Sequence, residues 1–221
     1  MKPVLYLVGL AVLAGGPALA APPEGLELEG EIGIVSDYRY RGYSLSDETS
    51  AAQAGLTVSA PGGVYAGAWA STIADYGGAD VEVDFYAGWA GSAGGLDVDV
   101  ALQRYIYPGG RDVDFWEVPV SVSRSWSAFT GTLGFAWAPE QDTLSEDNRY
   151  LYVAGEWTPG GWPVSLSASL GREDGAFADS KLDWAAGVTA PLGPVSLSLQ
   201  YLDSDGPDSE AALVAGLKAV F

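Results

Sequence analysis

Apolar and polar residues alternate along most of this chain. From Leu26 to Gly42, the even positions carry apolar and then aromatic residues, whereas the odd positions carry mainly charged ones. Side chains point alternately to the two faces of a β-strand, so this period of two predicts a strand with one dry and one wet face. The same pattern returns in segment after segment, and it constrains the chain to an all-β fold.

Twelve segments carry the alternation, with lengths near the roughly ten residues that a tilted strand needs to cross a bilayer. Only segment 64–73 leaves its two faces ambiguous. An even number of such strands predicts a transmembrane antiparallel up-and-down β-barrel. The predicted strands are residues 26–42, 52–59, 64–73, 80–89, 96–103, 116–123, 129–137, 150–157, 164–170, 182–189, 195–201 and 212–221.

Two kinds of connection alternate between these strands. One kind is short and lacks acidic residues, as at residues 61–63. The other kind is usually longer and mostly acidic, and it is typical of the outer loops of a membrane barrel. These predicted outer loops are residues 42–50, 74–79, 108–112, 139–147, 173–181 and 203–210.

Composition supports a membrane barrel. Charged residues make up only 18% of the chain, against a usual fraction of about 25%. Aromatic residues near the predicted strand ends favour girdles at the two membrane interfaces. They are Tyr38, Tyr40, Trp89, Trp116, Trp137, Trp157 and Trp184. A soluble β-sandwich or lipocalin-like barrel remains the alternative, because it also alternates but directs its apolar face inward.

The N-terminal residues have the pattern of a secretory signal peptide. Lys2 gives a positive start, Val4–Ala14 is an apolar stretch too short to span a bilayer, and residues 18–20 fit the small-residue cleavage rule. We expect residues 1–20 to be removed, which leaves residues 21–221 as a single outer-membrane β-barrel.

Two residue types are absent from the sequence, and this limits its chemistry. Without His the chain has no Ser-His or Cys-His dyad, and without Cys it has no disulfide or thiolate metal site. We therefore expect neither an enzyme nor a protein with a cofactor or a metal centre. The formal net charge of −19 makes nucleic acid a poor partner. The sequence leaves open whether acidic loops, such as the one with Asp203 and Asp205, bind divalent cations.

Alternation also directs a set of charged side chains into the barrel. The candidate pore-lining residues are Glu31, Asp37, Arg39, Arg41, Glu82, Asp84, Asp97, Asp99, Glu117, Glu156 and Asp183. With Lys218 included, nine carboxylates face three bases. Charged rings in a confined lumen select ions by sign. We expect a narrow, water-containing channel for ions or small solutes that prefers cations.

The same residues allow a second arrangement. Arg39 and Arg41 can pair with Glu82, Asp84 or Glu117, because two cations among many carboxylates will find partners. If such pairs close the lumen, the protein is a structural or adhesion barrel without transport activity.

The stretch from Ser36 to Gly42 (SDYRYRG) resembles the opening motif of the TorF family of porins, also known as the Gcw_chp conserved bacterial proteins. Further matches at residues 53–55, 63–71, 82–88 and 105–108 extend the resemblance over the first half of the chain. Leu45 departs from the motif, where a polar residue is expected. The resemblance implies a barrel in the outer membrane of a Gram-negative bacterium, with lipid and lipopolysaccharide around it. A C-terminal aromatic residue, here Phe221, is what such proteins present to the outer-membrane assembly machinery.

Overall fold

The computed structural model describes residues 25–207 and 209–221. The expected signal peptide, residues 1–20, lies outside these described residues. Within them, no helix is long and apolar enough to cross a membrane. The strands are β1 (Glu27–Val35), β2 (Arg39–Tyr40), β3 (Tyr43–Ser44), β4 (Ala51–Ser59), β5 (Val64–Tyr76), β6 (Ala79–Ala93), β7 (Leu96–Ile106), β8 (Phe115–Trp126), β9 (Phe129–Ala138), β10 (Asn148–Trp157), β11 (Ser165–Gly175), β12 (Ala178–Leu192), β13 (Val195–Ser204) and β14 (Ala212–Val220).

Twelve of these strands close into one antiparallel barrel, which confirms the predicted fold. β2 and β3 form a separate two-stranded sheet, so β1 pairs directly with β4. At the closing seam between β1 and β14, Gly30 and Phe221 exchange two backbone hydrogen bonds of 2.7 and 2.9 Å. A closed ring has no strand edge, and a bilayer requires this because it offers no partner for free backbone groups.

The two ends of the barrel differ in their connections. The short-turn rim carries residues 60–63, 94–95, 127–128, 158–164 and 193–194, together with both ends of the described chain. The opposite loop rim carries the longer connections at residues 107–114, 139–147 and 205–211. The predicted outer loops 74–79 and 173–181 are wrong, because the strands continue there and leave only two-residue turns at 77–78 and 176–177.

Apolar side chains cover the outside of the barrel. Ile32 and Leu133, for example, are each 54% exposed. The largest fully buried side chains are instead polar or charged, namely Glu82, Glu117, Glu173, Asn148, Asp84 and Ser71. A soluble barrel or sandwich has the opposite distribution, so the soluble alternative is wrong. The outer face matches the apolar band that membrane barrels present to lipid.

Exposed tryptophans lie near both rims, as expected for interfacial girdles. They are Trp89, Trp126, Trp157 and Trp162 towards the short-turn rim, and Trp116 and Trp137 towards the loop rim. Trp184 is half-buried and pairs with Asp203 near the loop rim. The prediction that Tyr38 and Tyr40 join a girdle is wrong, since both contact side chains inside the barrel.

The first strand is shorter than predicted. β1 ends at Val35, and residues 36–50 leave the wall and fold into the barrel as an inward segment. The predictions of a strand through Gly42 and of an outer loop at 42–50 are therefore wrong. Alternation failed here because the extended residues of the β2–β3 hairpin keep the same period of two as a wall strand.

The outer face can be tested at Val120 in β8, which pairs with Val100 and Phe135 on the neighbouring strands. An Arg at a lipid-facing site near mid-membrane costs about 2–4 kcal/mol. We expect this loss for Val120→Arg in urea unfolding from phospholipid vesicles. As a control, Val120→Leu should stay within about 0.5 kcal/mol of the parent. Equal stability of Val120→Arg and the parent would show that this face does not meet lipid.

Candidate functional site

The inward segment, residues 36–50, begins where the chain turns away from β14. The amide of Ser36 donates to the carbonyl of Ala215 at 2.8 Å, and the hairpin of β2 and β3 follows. Two backbone bonds then fix the return path. The amide of Leu45 donates to the carbonyl of Tyr38 at 2.7 Å, and the amide of Ala74 in β5 donates to the carbonyl of Leu45 at 2.8 Å.

The turn of the hairpin needs a glycine. Arg41 has a φ of 48° and Gly42 a φ of 92°, which are values of the left-handed region. A Cβ atom at Gly42 would also lie only 2.6 Å from the Cβ of Ser204 on β13. The tip of the hairpin is therefore pressed against the barrel wall at a distance that excludes any other residue type.

Arg41 lies at this tip and joins two wall strands, β8 and β11, that are not neighbours in the barrel. Its Nη2 is 2.7 Å from Oε1 of Glu117 on β8, and its Nη1 is 2.7 Å from Oε1 of Glu173 on β11. The guanidinium also lies over the rings of Tyr40 and Tyr150, 4.6 and 4.3 Å from their centroids. We call Arg41, Glu117 and Glu173 the arginine latch.

Lys181 on β12 completes the charge balance of the arginine latch. Its Nζ lies 2.7 Å from Oε2 of Glu173 and donates to the backbone carbonyl of Arg41 at 2.6 Å. Burial alone would lower the pKa of Arg41, but Glu117 and Glu173 outweigh it and hold that pKa well above its ordinary value. Two bases thus meet two carboxylates, all of them nearly inaccessible to solvent.

Tyrosines of the inward segment make further contacts with the wall. Tyr38 donates its hydroxyl to Oε1 of Glu82 at 2.7 Å and packs edge-on against Trp69, with ring centroids 5.4 Å apart. Burial and then the charge of Glu82 raise the pKa of Tyr38 well above its ordinary value, so the hydroxyl remains a donor. The hydroxyl of Tyr40 lies 3.1 Å from that of Tyr105 and donates to Glu117 at 3.3 Å.

Asp37 and Arg39 hold the inward segment together internally. The Nε of Arg39 lies 2.5 Å from Oδ2 of Asp37, and its Nη2 is 3.7 Å from Glu48. Arg39 therefore pairs within its own segment and not with Glu82, Asp84 or Glu117. Its Nη1 donates instead to the backbone carbonyls of Gly42 and Glu210, at 3.1 and 2.5 Å, so the guanidinium is directed to the loop before β14 and away from these wall carboxylates.

Tyrosines of the wall lie flat over glycines of neighbouring strands. A Cβ at Gly88 would lie 2.5 Å from the hydroxyl oxygen of Tyr65, and one at Gly67 would lie 2.5 Å from that of Tyr86. These glycines leave room for the rings to lie along the wall. The aromatic residues thus occupy less of the lumen than their size suggests.

The remaining candidate residues lie on the inner face of the wall. Lys218 contacts Glu31 at 2.9 Å, whereas Asp99 and Asp183 accept hydrogen bonds from tyrosine hydroxyls at 2.8 and 3.0 Å. Asp97 accepts a hydrogen bond from a serine near the short-turn rim. Glu156 lies on the inner face of β10 and is half-buried.

Sequence reasoning missed Glu173 and Lys181, which are central to the site. Both were assigned to an outer loop because charged residues there matched loop composition. The signal was nevertheless present, since Glu173 continues the inward positions of β11 and Lys181 precedes Asp183 by two residues. Extending the period of two further would have placed both side chains inside the barrel.

The short-turn half of the lumen has a different lining. Beside the ion pair of Lys218 with Glu31, many of its inward positions carry small hydroxyl side chains. These include Ser121, Ser123, Thr132, Ser167, Ser169, Ser196 and Ser198. Hydroxyls accept and donate hydrogen bonds, so this half suits water. The inward segment therefore narrows the barrel mainly in its loop-rim half.

The sequence matches one protein family over residues 19–220, a family described as a bacterial protein of unknown function, Gcw_chp. The chain belongs to the Gcw_chp family. The match extends the resemblance seen around Ser36–Gly42 into the second half of the protein. The designation TorF stays a prediction.

Solved structures resemble the barrel of this Gcw_chp protein. The NanC porin aligns with a TM-score of 0.56 and 12% identity, covering 88% of this chain and 98% of the porin. An outer-membrane channel from Pseudomonas putida F1 aligns with a TM-score of 0.56 and 8% identity, covering 95% of this chain and 100% of the channel. At these identities the likeness shows the fold alone. A search among curated proteins returned no match.

The arginine latch can be tested by hydrogen exchange. Arg41→Gln leaves Glu117 without its cation and Glu173 with Lys181 alone, and breaking a buried pair costs about 3–5 kcal/mol. We expect amides in residues 36–50 to exchange more than about tenfold faster, which corresponds to about 1.4 kcal/mol. Amides of β6 and β7 should be unchanged.

Arg149→Gln is the matched control, because Arg149 forms an exposed ion pair with Asp147 at the loop rim. It should leave exchange in the inward segment unaltered, since exposed pairs contribute about 0–1 kcal/mol. If amides in residues 36–50 exchange at the same rate in Arg41→Gln as in this control, Arg41 does not hold the inward segment in place.

Proposed function

We propose that this Gcw_chp protein is a narrow, water-containing channel of the Gram-negative outer membrane that passes ions or small solutes and prefers cations. The observation that carries the proposal is the inside-out barrel, whose largest buried side chains are mainly carboxylates. An apolar exterior and a charged interior suit a protein that holds polar space across a bilayer. The porin and the outer-membrane channel of similar fold support the same function.

The preference for cations follows from charge. Glu173 and Lys181 add one inward charge of each sign to the nine carboxylates and three bases expected from alternation. The excess of six negative charges on the candidate inner face is therefore unchanged. On the inner face that the structure describes, ion pairs involve four bases, Arg39, Arg41, Lys181 and Lys218. Carboxylates outnumber these bases, so some remain without a cationic partner, and a confined lumen focuses their field on passing ions.

A narrow passage follows from the strand number and from the inward segment. Twelve strands give a barrel between the filled barrels of eight strands and the open porins of sixteen or more. Residues 36–50 occupy part of the space inside, tied to the wall by the arginine latch. We therefore expect a small conductance and exclusion of bulky solutes.

One observation favours a second function. The arginine latch and Lys181 together bury two carboxylates and two bases in direct contact. This is the arrangement of a permanent plug as much as of a constriction. A plugged barrel would serve a structural or adhesion role and conduct no ions.

Neither function uses a catalytic group, and we propose that the protein is not an enzyme.

Planar-bilayer recordings distinguish the two functions. Under a potassium chloride gradient, the parent should show a small conductance with a reversal potential on the cation-selective side. The double variant Glu82→Gln/Asp84→Asn should move the reversal potential towards zero, because it removes two buried lumen charges. Anion selectivity of the parent would contradict the charge argument.

The matched control for this recording is Glu140→Gln/Asp142→Asn, which removes the same charge from the exposed loop at 139–147. It should leave the reversal potential near that of the parent, because exposed charges are screened by salt within about 10 Å. A parent that conducts nothing, together with an Arg41→Gln variant that also conducts nothing, would favour the plugged barrel.

A further inference from the structure

Two carboxylates lie side by side on the inner face of β6. Glu82 and Asp84 occupy successive inward positions, and each residue is only 1% exposed. One oxygen of each has a hydrogen bond. Tyr38 donates to Oε1 of Glu82 at 2.7 Å, and Nε2 of Gln103 donates to Oδ2 of Asp84 at 2.9 Å.

The other oxygen of each carboxylate is unpartnered. Oε2 of Glu82 and Oδ1 of Asp84 are buried without a hydrogen bond from any part of the chain that the structure describes. Within residues 25–207 and 209–221, no Lys or Arg forms an ion pair with either residue. The bases inside the barrel are committed elsewhere, to Glu117, Glu173, Asp37 and Glu31.

Two buried carboxylates in this arrangement are unfavourable unless their negative charge is neutralised. A buried carboxylate without a counter-charge is strongly destabilising, and two neighbouring carboxylates also repel each other. The neighbouring groups that reach the pair are hydroxyls and an amide, including Tyr38, Tyr107 and Gln103. These groups carry no positive charge. Both carboxylates thus present free oxygens with a combined charge that matches one divalent cation.

We propose that Glu82 and Asp84 form a binding site for a hard divalent cation, Mg²⁺ or Ca²⁺, inside the barrel. The carboxylate atoms that would coordinate the ion are oxygens, which these ions prefer as ligands. Tyr38 and Gln103 hold the carboxylates in position by bonding their other oxygens. The proposal rests on the proposed function in one respect, because the ion reaches the site through the water-containing lumen.

The site offers two carboxylates, fewer than the three or more acidic or His and Cys groups of a typical metal cluster, and no such larger cluster occurs among the described residues. We therefore expect weak binding, with a dissociation constant of about 0.1–1 mM. Because Tyr38 belongs to the inward segment and bonds to Glu82, the bound ion also adds to the attachment of that segment to the wall.

Terbium luminescence tests the site directly in the purified, folded barrel. Tb³⁺ takes the oxygen ligands of Ca²⁺ and is sensitised by nearby aromatic rings, and Trp69 packs on Tyr38 beside Glu82. We expect a saturable signal that Ca²⁺ and Mg²⁺ displace and K⁺ at equal ionic strength does not. Glu82→Gln and Asp84→Asn should each reduce the saturable signal at least about tenfold.

Asp183→Asn is the matched control. Asp183 is also buried, also accepts from a tyrosine and also has one free oxygen, but it differs from the β6 pair because the cations Lys181 and Arg41 lie near it. Its replacement should leave the saturable signal intact. Circular dichroism and the heat-dependent gel shift of folded barrels show whether each variant folds, and calorimetric titration of the parent with CaCl₂ needs no variant.

Each outcome decides the inference. Loss of the signal in the β6 variants alone supports it. A signal that survives them, or that disappears only in Glu140→Gln/Asp142→Asn, overturns it in favour of binding at the loops. Absence of saturable binding to the parent overturns it as well, and leaves protons to neutralise the pair. Binding without conductance would overturn the channel and not the site, whereas conductance without binding would overturn the site alone.

Discussion

The arrangement of the lumen depends on the contact of Arg41 with Glu117 and Glu173. One guanidinium at the tip of a hairpin reaches two wall strands, β8 and β11, that are separated by β9 and β10 in the barrel. Planar guanidinium groups with several donors suit such double pairing better than an ammonium does. Because the partners are buried, this contact ties residues 36–50 to a fixed place inside the barrel.

The wall of the barrel must be compatible with lipid, whereas the inward segment must be compatible with a charged lumen. The wall needs apolar residues outside and hydrogen-bonded strands throughout, since lipid satisfies neither charges nor free backbone groups. The interior can then hold charges, but a lumen with far more carboxylates than bases repels itself. Arg39 and Arg41 reduce this repulsion where the inward segment docks, and they leave Glu82 and Asp84 without a cation. The selectivity and the cation site that we propose both come from this incomplete neutralisation.

Much of the wall could be predicted from the sequence. A strand period of two is local, so the alternation of Val81, Val83 and Phe85 with Glu82 and Asp84 is sufficient to assign inner and outer faces. The closed ring of twelve strands follows from their number and from the rule that a bilayer tolerates no free edge. Family membership agrees with the motif at Ser36–Gly42.

The site itself was harder to predict, because it depends on contacts between distant residues. The alternation of Tyr38, Arg39, Tyr40 and Arg41 is the same in a wall strand and in a hairpin inside the barrel, and only the left-handed turn at Gly42 separates them. Glu173 lies 132 positions along the chain from Arg41. Nothing in the sequence around either residue indicates that the two form an ion pair. Composition also led to the wrong prediction of a loop at residues 173–181, because charged residues at the end of a strand are also typical of a loop.

Residues 36–50 rest inside the barrel in one fixed arrangement, and a distance measurement tests this most directly. The chain has no Cys, so spin labels can be attached at Leu45→Cys in the segment and at Ser125→Cys near the short-turn rim. The distance between them can then be measured by double electron–electron resonance in native outer membranes. A single narrow distance distribution is the predicted result. A broad distribution, or one that extends to distances outside the barrel, would contradict the claim.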